Sequence, residues 1–210
     1  MPGPERHALR HTANPDAAPS TPVDEARTPA WSQKNDHQPV LERTSMKLPS
    51  VDIGPGADLK HTMAEIAHKK IGQSVYRPLA GSHYEPGEVT PKFGCTSTVT
   101  NLMFEAMLKR GMVTPKQYGD FHEINVTDFI KKALGQNIIQ PVSHDKANEG
   151  DLIVGEDSSG RHMGILTRDG RGHLKVANNY GGILREDDIQ QRFGAFPKVT
   201  YYRPTGNSPK

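Results

Sequence analysis

The chain contains a single cysteine, and the residues around it favour a chemical role for its thiol. Cys95 stands where a helical segment begins, in the run Phe93-Gly94-Cys95-Thr96-Ser97. The free backbone N–H groups and the positive dipole end of a helix stabilise a thiolate. A candidate base, His162, and a candidate orienting amide, Asn179, follow on two apparent strands. These three residue types can form a nucleophilic site in which an imidazole activates a thiol and an amide fixes the imidazole tautomer.

Each of these residues also has an ordinary structural interpretation. Free cysteine is among the most buried residue types, so Cys95 next to an apolar helix face is also expected as a core residue. The chain has 10 histidines, and paired asparagines at a strand end are typical of turns. A metal site is disfavoured because the histidines are scattered; His61 and His68 share a helix, where solvated surface is the simpler interpretation. The order of the three residue types on suitable elements favours catalysis.

Apolar residues at three- and four-residue steps predict the helices that position the thiol. Three segments show this spacing: residues 58–71, 96–109 and 126–134. Asn125 or Thr127 could cap the third helix. In the second, Cys95 lies one helical step of four residues before Val99, so the thiol should project from the core-facing side. Residues 73–94 contain many Pro and Gly residues and are predicted to be a loop.

After Pro141, short apolar runs separated by turns predict an antiparallel meander. The four predicted strands are residues 150–155, 162–167, 173–179 and 196–202. A short helix over residues 185–192 is predicted between the last two strands. Helices first and an antiparallel sheet afterwards indicate an α+β fold.

The pleat of these strands limits which side chains can meet. His162 and Gly164 share one face of their strand, and the glycine leaves room for a partner atom. On the next strand, Asn178 and Asn179 point to opposite faces. We expect Asn179 to orient His162, with Asn178 as the alternative if that strand presents its other face.

Composition narrows the classes of partner. The 210 residues carry 26 basic and 24 acidic side chains, a formal net charge of +2, which gives no electrostatic reason to expect nucleic acid as a partner. No stretch has the roughly 18 to 20 consecutive apolar residues of a membrane span. Residues 1–48 are rich in Pro, Ala, Ser and Thr and are predicted to be a disordered leader, and residues 203–210 a tail.

Several segments resemble the NlpC-type cell-wall peptidases and the related CHAP amidases. The resemblance covers residues 58–202 and is carried by six runs: Ala64 to Gly72, Tyr84 to Gly87, Phe93 to Ser97, Glu149 to Val154, His162 to Leu166, and Val176 to Tyr180. The chain departs from the family pattern at Gly94-Cys95-Thr96-Ser97, where Asp-Cys-Ser-Gly is usual, and at Ala177, where CHAP members often have an acidic residue.

The resemblance implies a papain-like domain with N-terminal helices packed on an antiparallel sheet. It also implies a cysteine peptidase or amidase in which Cys95 attacks an amide carbonyl, His162 transfers protons and Asn179 orients His162. The backbone N–H of Cys95, with Tyr84 nearby, would stabilise the oxyanion. The implied substrate is a peptidoglycan stem peptide, and the reaction needs no cofactor or metal.

Two other functions remain open from the sequence. The same thiol could deamidate a protein or transfer an acyl group, as an effector enzyme. The domain could also be a catalytically inactive binding module. The N-terminus lacks the apolar core of a signal peptide, so a leader of this kind fits export by a specialised secretion route. A toxin delivered in that way implies an inhibitor or immunity protein as a further partner.

Overall fold

The part of the chain that the computed structural model describes, residues 55–84 and 87–209, contains five α-helices and six strands. The helices are α1 (Pro55–Lys70), α2 (Cys95–Lys109), α3 (Tyr118–Phe121), α4 (Val126–Gly135) and α5 (Ile189–Phe193). The strands are β1 (Ile139–Val142), β2 (Leu152–Asp157), β3 (Gly160–Arg168), β4 (Leu174–Tyr180), β5 (Ile183–Asp187) and β6 (Lys198–Pro204). The predicted leader lies outside the described residues.

The strands form one antiparallel sheet in the order β1-β6-β2-β3-β4-β5. The chain is therefore α+β, as the sequence predicts. The two long helices, α1 and α2, pack on one face of the sheet, where Leu59, Met103 and Ile165 belong to the same buried cluster. A smaller cluster covers the opposite face and contains Leu166, Val176 and Phe193 of α5.

Three predicted helices are confirmed with small changes at their ends. Asn125 caps α4, because its side-chain oxygen accepts hydrogen bonds from the N–H groups of Thr127 and Asp128. Cys95 is the first residue of α2 and belongs to the helix-side core together with Val99, as the four-residue step predicts.

The predicted helix over 185–192 is wrong for its first half. Residues 183–187 form strand β5, whose Asp187 lies opposite Val176 of β4. A helix follows only after Asp188, which caps α5 by accepting from the Gln190 N–H. Strand β1, at 139–142, was not predicted as a separate strand. The last strand continues to Pro204, so the predicted tail begins two residues later than expected.

Candidate active site

A tight turn comes directly before Cys95, the first residue of α2. Pro91 opens a 3-10 turn that ends at Phe93, and Gly94 precedes the helix. A Cβ atom on Gly94 would lie 2.5 Å from the Tyr76 Cβ, so only glycine fits where this turn packs on the preceding loop. The thiol position is therefore fixed by a close backbone approach.

The N-terminus of α2 has no side-chain cap, since Gly94 is the capping residue. The Thr98 N–H donates to the Gly94 carbonyl at 2.9 Å and closes the first turn. The N–H groups of residues 95–97 consequently have no intrahelical acceptor. Free N–H groups and the helix dipole favour negative charge at this position, which suits a thiolate or an oxyanion.

Cys95 itself is buried, with 8% of its surface exposed. Its Sγ contacts the Thr96 Oγ1 at 3.9 Å. Among the residues that the structure describes, no hydrogen bond joins this thiol to the imidazole of His162.

His162 lies on β3, on the face of the sheet that packs against α5. It lies opposite Gly155 of β2 in the strand register, and its ring packs against the Phe193 ring with centroids 5.5 Å apart. A Cβ on Gly155 would lie 2.5 Å from the Phe196 ring, so this glycine lets the aromatic side chains approach the sheet beside His162. The imidazole is therefore held by packing as well as by hydrogen bonds.

Asn178 is the hydrogen-bond partner of His162. The Nε2 of His162 lies 3.1 Å from the Asn178 Oδ1. Asn178 pairs with Gly164 across β3 and β4, and a Cβ on Gly164 would lie 3.2 Å from the Asn178 Cβ. Because Gly164 has no side chain, Asn178 can reach diagonally to His162. The room that the sequence predicts beside Gly164 is therefore used by an orienting amide.

The hydrogen bonds around Asn178 assign the tautomer of His162. The Asn178 Nδ2 donates to Asp187 Oδ2 at 2.8 Å, which directs its Oδ1 towards the imidazole. That oxygen also accepts from the Arg192 Nε at 2.9 Å, a shorter contact than the 3.3 Å from the same Nε to His162 Nε2. An amide oxygen only accepts, so His162 must donate its Nε2–H to it. The basic nitrogen of the ring is then Nδ1.

Burial, together with the Arg192 guanidinium, lowers the pKa of His162 to about 4. The hydrogen bond that His162 donates to Asn178 and the nearby Asp187 carboxylate both raise the pKa, but their effects are smaller. At neutral pH the imidazole is therefore uncharged and able to accept a proton.

Asn179, the residue expected to orient His162, points to the other face of the sheet. Its Nδ2 donates to the Pro91 carbonyl at 2.7 Å, and its Oδ1 is buried without a hydrogen-bond partner within the described residues. The expected contact is corrected to Asn178, because the register places Asn178 on the same face as His162. Asn179 instead holds the turn that precedes Cys95.

Cys95 and His162 line the same open cleft, of about 880 Å³. Three segments form its walls: Lys92 to Thr96 at the start of α2, Ile124 to Thr127 before and within α4, and Glu156 to His162 in the β2–β3 hairpin. Arg192 and Phe196 complete the lining. The Arg161 Nη1 donates to the Thr127 Oγ1 at 3.1 Å and so connects two of these walls.

A second polar chain, which no motif of the sequence predicts, lies beneath the start of α2. His122 is fully buried, with its Nε2 2.7 Å from the Ser97 Oγ and its Nδ1 3.2 Å from the Ser82 Oγ. Ser97 in turn donates to the Tyr76 carbonyl at 2.5 Å. Burial, with a smaller effect of His83, lowers the pKa of His122 to about 4.

Tyr84, expected near the oxyanion, has its hydroxyl engaged elsewhere. The hydroxyl donates to the Glu123 Oε2 at 3.0 Å. Burial and this carboxylate raise the pKa of Tyr84 to about 12. Tyr84 is also not among the described residues that line the cleft containing Cys95.

No protein-family model matches this chain, and a comparison with curated proteins also finds no match. Within residues 55–84 and 87–209, no helix is sufficiently long and apolar to cross a membrane. The same residues contain no group of three or more His, Cys, Asp and Glu side chains that could hold a metal ion.

Proposed function

We propose that this protein is a thiol-dependent amidase or peptidase of the papain-like NlpC/CHAP type, with residues 58–202 as its catalytic domain. The observation that carries the proposal is the cleft that Cys95, at an uncapped helix N-terminus, and His162, oriented by Asn178, both line. These are a nucleophile, a base and an orienting group on separate elements around one cavity.

Acylation begins when His162 Nδ1 takes the thiol proton and the sulfur of Cys95 attacks the carbonyl carbon of a bound amide. A C–S bond forms and the carbonyl oxygen becomes an oxyanion. The free N–H groups of residues 95–97 are the available donors for that charge, and losing one such donor typically costs about 10² to 10³ in rate. The protonated His162 then gives its proton to the amide nitrogen, and the C–N bond breaks.

Deacylation uses the same residues in reverse order. His162 removes a proton from a water molecule, whose oxygen attacks the thioester carbonyl. The C–S bond breaks, the acid product leaves, and the proton returns to the sulfur of Cys95. The reaction needs no cofactor.

The uncharged imidazole of His162 favours a mechanism in which it acts as a general base while the sulfur attacks. A pKa of about 4 leaves His162 unprotonated at pH 7, so the proton moves when the nucleophile attacks. The two groups have no hydrogen bond before substrate binds, and catalytic hydrogen bonds commonly tighten only in the substrate complex. Cys95 belongs to the core on the α1/α2 face of the sheet, whereas His162 lies on the α5 face, so the proposed proton transfer requires the two side chains to approach each other across the cleft when substrate binds.

Peptidoglycan stem peptides are the proposed substrate class. The six runs that resemble the cell-wall hydrolases support this choice. The cleft supports it as well, since it is open and carries both basic side chains (Lys92, Arg161, Arg192) and acidic ones (Glu156, Asp157). Such a lining suits an extended peptide with charged groups along its length.

The test is digestion of purified peptidoglycan with mass spectrometry of the released peptides. Wild-type protein should release stem-peptide fragments, and Cys95→Ser should lower the rate at least about 10³-fold. His162→Ala should lower it by about 10² to 10⁴, because a general base contributes that much. His173→Ala, on an exposed turn, is the matched control and should leave the rate unchanged.

Iodoacetamide labelling separates the chemistry from the choice of substrate. Cys95 is the only thiol, so every alkylation event reports on the site. Because His162 takes the thiol proton as the sulfur attacks, wild-type protein should be labelled faster than His162→Ala at neutral pH. Peptidoglycan digestion that survives Cys95→Ser would refute the mechanism. Thiol-dependent release of ammonia from a glutamine side chain, without peptide fragments, would indicate a deamidase instead.

A further inference from the structure

A second cavity, of about 310 Å³, lies at the end of β4 and adjoins the proposed active site. Its lining consists of Tyr180, Arg185, Asp187, Gln191 and Arg192. Arg192 also lines the larger cleft and donates to Asn178. A group bound in the second cavity would therefore contact Arg192, which donates to Asn178, the hydrogen-bond partner of His162.

Two arginine side chains in this cavity stack on one aromatic ring. The Cζ of Arg185 lies 4.9 Å from the Tyr180 ring centroid, and the Cζ of Arg192 lies 4.8 Å from it. The ring keeps 49% of its surface exposed. Cation–π contacts of this kind hold a guanidinium in place while leaving its N–H edge free to bind.

The charges around the cavity leave a net positive site. Asp187 supplies one negative charge, and its Oδ2 already accepts from Asn178. Across the described residues, no salt bridge engages Arg185 or Arg192. The nearby acidic residues have other partners, since Glu186 contacts His68 and Asp188 contacts Lys175. Two guanidinium groups thus face one carboxylate.

We propose that this cavity binds a free carboxylate of the substrate, so that the enzyme prefers amides whose neighbouring residue carries a carboxyl group. The guanidinium of arginine offers N–H donors in a planar fork that matches a carboxylate. Arg192 keeps its Nε on Asn178 and has its Nη groups available, so it connects carboxylate recognition to the orientation of His162. This inference rests on the proposed hydrolase function.

Binding can be measured without turnover. In ¹⁵N-labelled Cys95→Ala protein, N-acetylglycine should shift the arginine Nε–H resonances of Arg185 and Arg192, whereas the uncharged N-acetylglycinamide should not. Arg185→Gln should weaken the carboxylate binding about fivefold, the effect of one half-exposed charge pair. Arg171→Gln removes the same charge from an exposed turn and should leave binding unchanged. Equal shifts with both probes, or equal binding by Arg185→Gln, would overturn the proposal, as would shifts with inorganic phosphate and none with N-acetylglycine.

Hydrolysis then tests whether the bound carboxylate belongs to the substrate. Stem peptides with a free carboxylate beside the scissile bond should be cleaved faster than their carboxamide analogues. Arg185→Gln should reduce this preference about fivefold through KM, measured as the ratio of carboxylate to carboxamide cleavage. A preference that survives in Arg185→Gln would contradict the assignment. Carboxylate-selective shifts in a protein that cleaves no amide would support the anion site and refute the hydrolase.

Discussion

Asn178 and Asn179 carry the same side chain but contact different parts of the molecule. Asn178 accepts from His162, whereas Asn179 donates to the Pro91 carbonyl in the turn before Cys95. One therefore orients the proposed base and the other supports the position of the proposed nucleophile. This pair allows a direct test of the two roles, because the chemical change is identical.

We expect Asn178→Ala to reduce the rate of amide hydrolysis about 10²-fold, because a misplaced imidazole loses its productive geometry. The free energy of unfolding should fall as well, because the buried Asn178 also bonds to Asp187 and Arg192. Asn179→Ala should lower the free energy of unfolding by about 1 to 2 kcal/mol with a smaller effect on the rate, since Asn179 is buried and its hydrogen bond to the Pro91 carbonyl is lost. Turnover rates and urea denaturation of both variants provide the measurement. Equal rate losses in the two variants would contradict the assignment of Asn178.

The sequence predicts the residue types of this site better than it predicts their partners. Cys95 and His162 stand out because a thiol at a helix start and an imidazole on a strand are unusual in combination. The alternation of Asn178 and Asn179 is equally readable, since side chains alternate along any strand. Which of the two meets His162 depends on the pairing of Gly164 with Asn178, and register is not visible in a single strand.

At the scale of elements, His122 connects α2 to the loop before it and to the end of α3. A single assignment of donors and acceptors satisfies every hydrogen bond in the polar chain that contains His122. The Tyr84 N–H donates to the Ser82 Oγ, Ser82 donates to His122 Nδ1, and the Nε2–H of His122 donates to Ser97. This chain needs an uncharged imidazole, in agreement with the lowered pKa of His122.

Stability should consequently fall as the pH is lowered from about 6.5 to about 4. The unfolded chain protonates His122 near pH 6.5, whereas the folded protein does so only near pH 4, so unfolding takes up a proton in this interval. The contribution of this one group at pH 5 is about 2 kcal/mol relative to pH 7. Burial and Arg192 lower the pKa of His162 too, so it acts in the same direction.

Urea denaturation at pH 7 and pH 5 measures this dependence. His122→Gln should be less stable than wild type at pH 7 but should lose about 2 kcal/mol less between the two pH values. An unchanged difference between pH 7 and pH 5 in this variant would show that His122 is not the group that titrates.

The helix predicted over 185–192 illustrates why some elements escape sequence analysis. Its charged and amide residues have no strand-like alternation, yet pairing with β4 makes the first part an edge strand. The sequence pattern therefore predicts Asp187 and Arg192 on one helix, whereas Asp187 lies on β5 and Arg192 on α5. Their shared contact with Asn178 depends on this break. The helices with apolar stripes were predictable because their burial matches a 3.6-residue period.

At the scale of the whole molecule, a buried carboxylate ties the first helix to the sheet. Asp151 has no exposed surface and forms salt bridges with Lys60 of α1 at 3.3 Å and Arg203 of β6 at 2.9 Å. A Cβ on the preceding Gly150 would lie 2.4 Å from the Lys60 carbonyl, so α1 packs directly on this segment. Gly150 and Asp151 thus have a structural role.

Asp151→Asn should lower the free energy of unfolding by about 3 kcal/mol, because it removes the charge that both cations face. Asp120→Asn, at an exposed position, should change it by less than about 0.5 kcal/mol. Thermal and urea denaturation give both values. The fraction of Asp151→Asn protein that stays folded should have the same rate of Cys95 alkylation as wild type. A loss of that rate in the folded fraction would place Asp151 in the active site rather than in the scaffold.

The solitary thiol also determines how the protein responds to oxidants. Peroxide converts an accessible thiolate to a sulfenic acid, which many enzymes protect by forming a disulfide with a neighbouring cysteine. This chain has no second cysteine for that purpose. If peroxide oxidises Cys95, reduction of the sulfenic acid requires a reductant from another molecule, and prolonged exposure would carry the sulfur on to irreversible sulfinic and sulfonic acids.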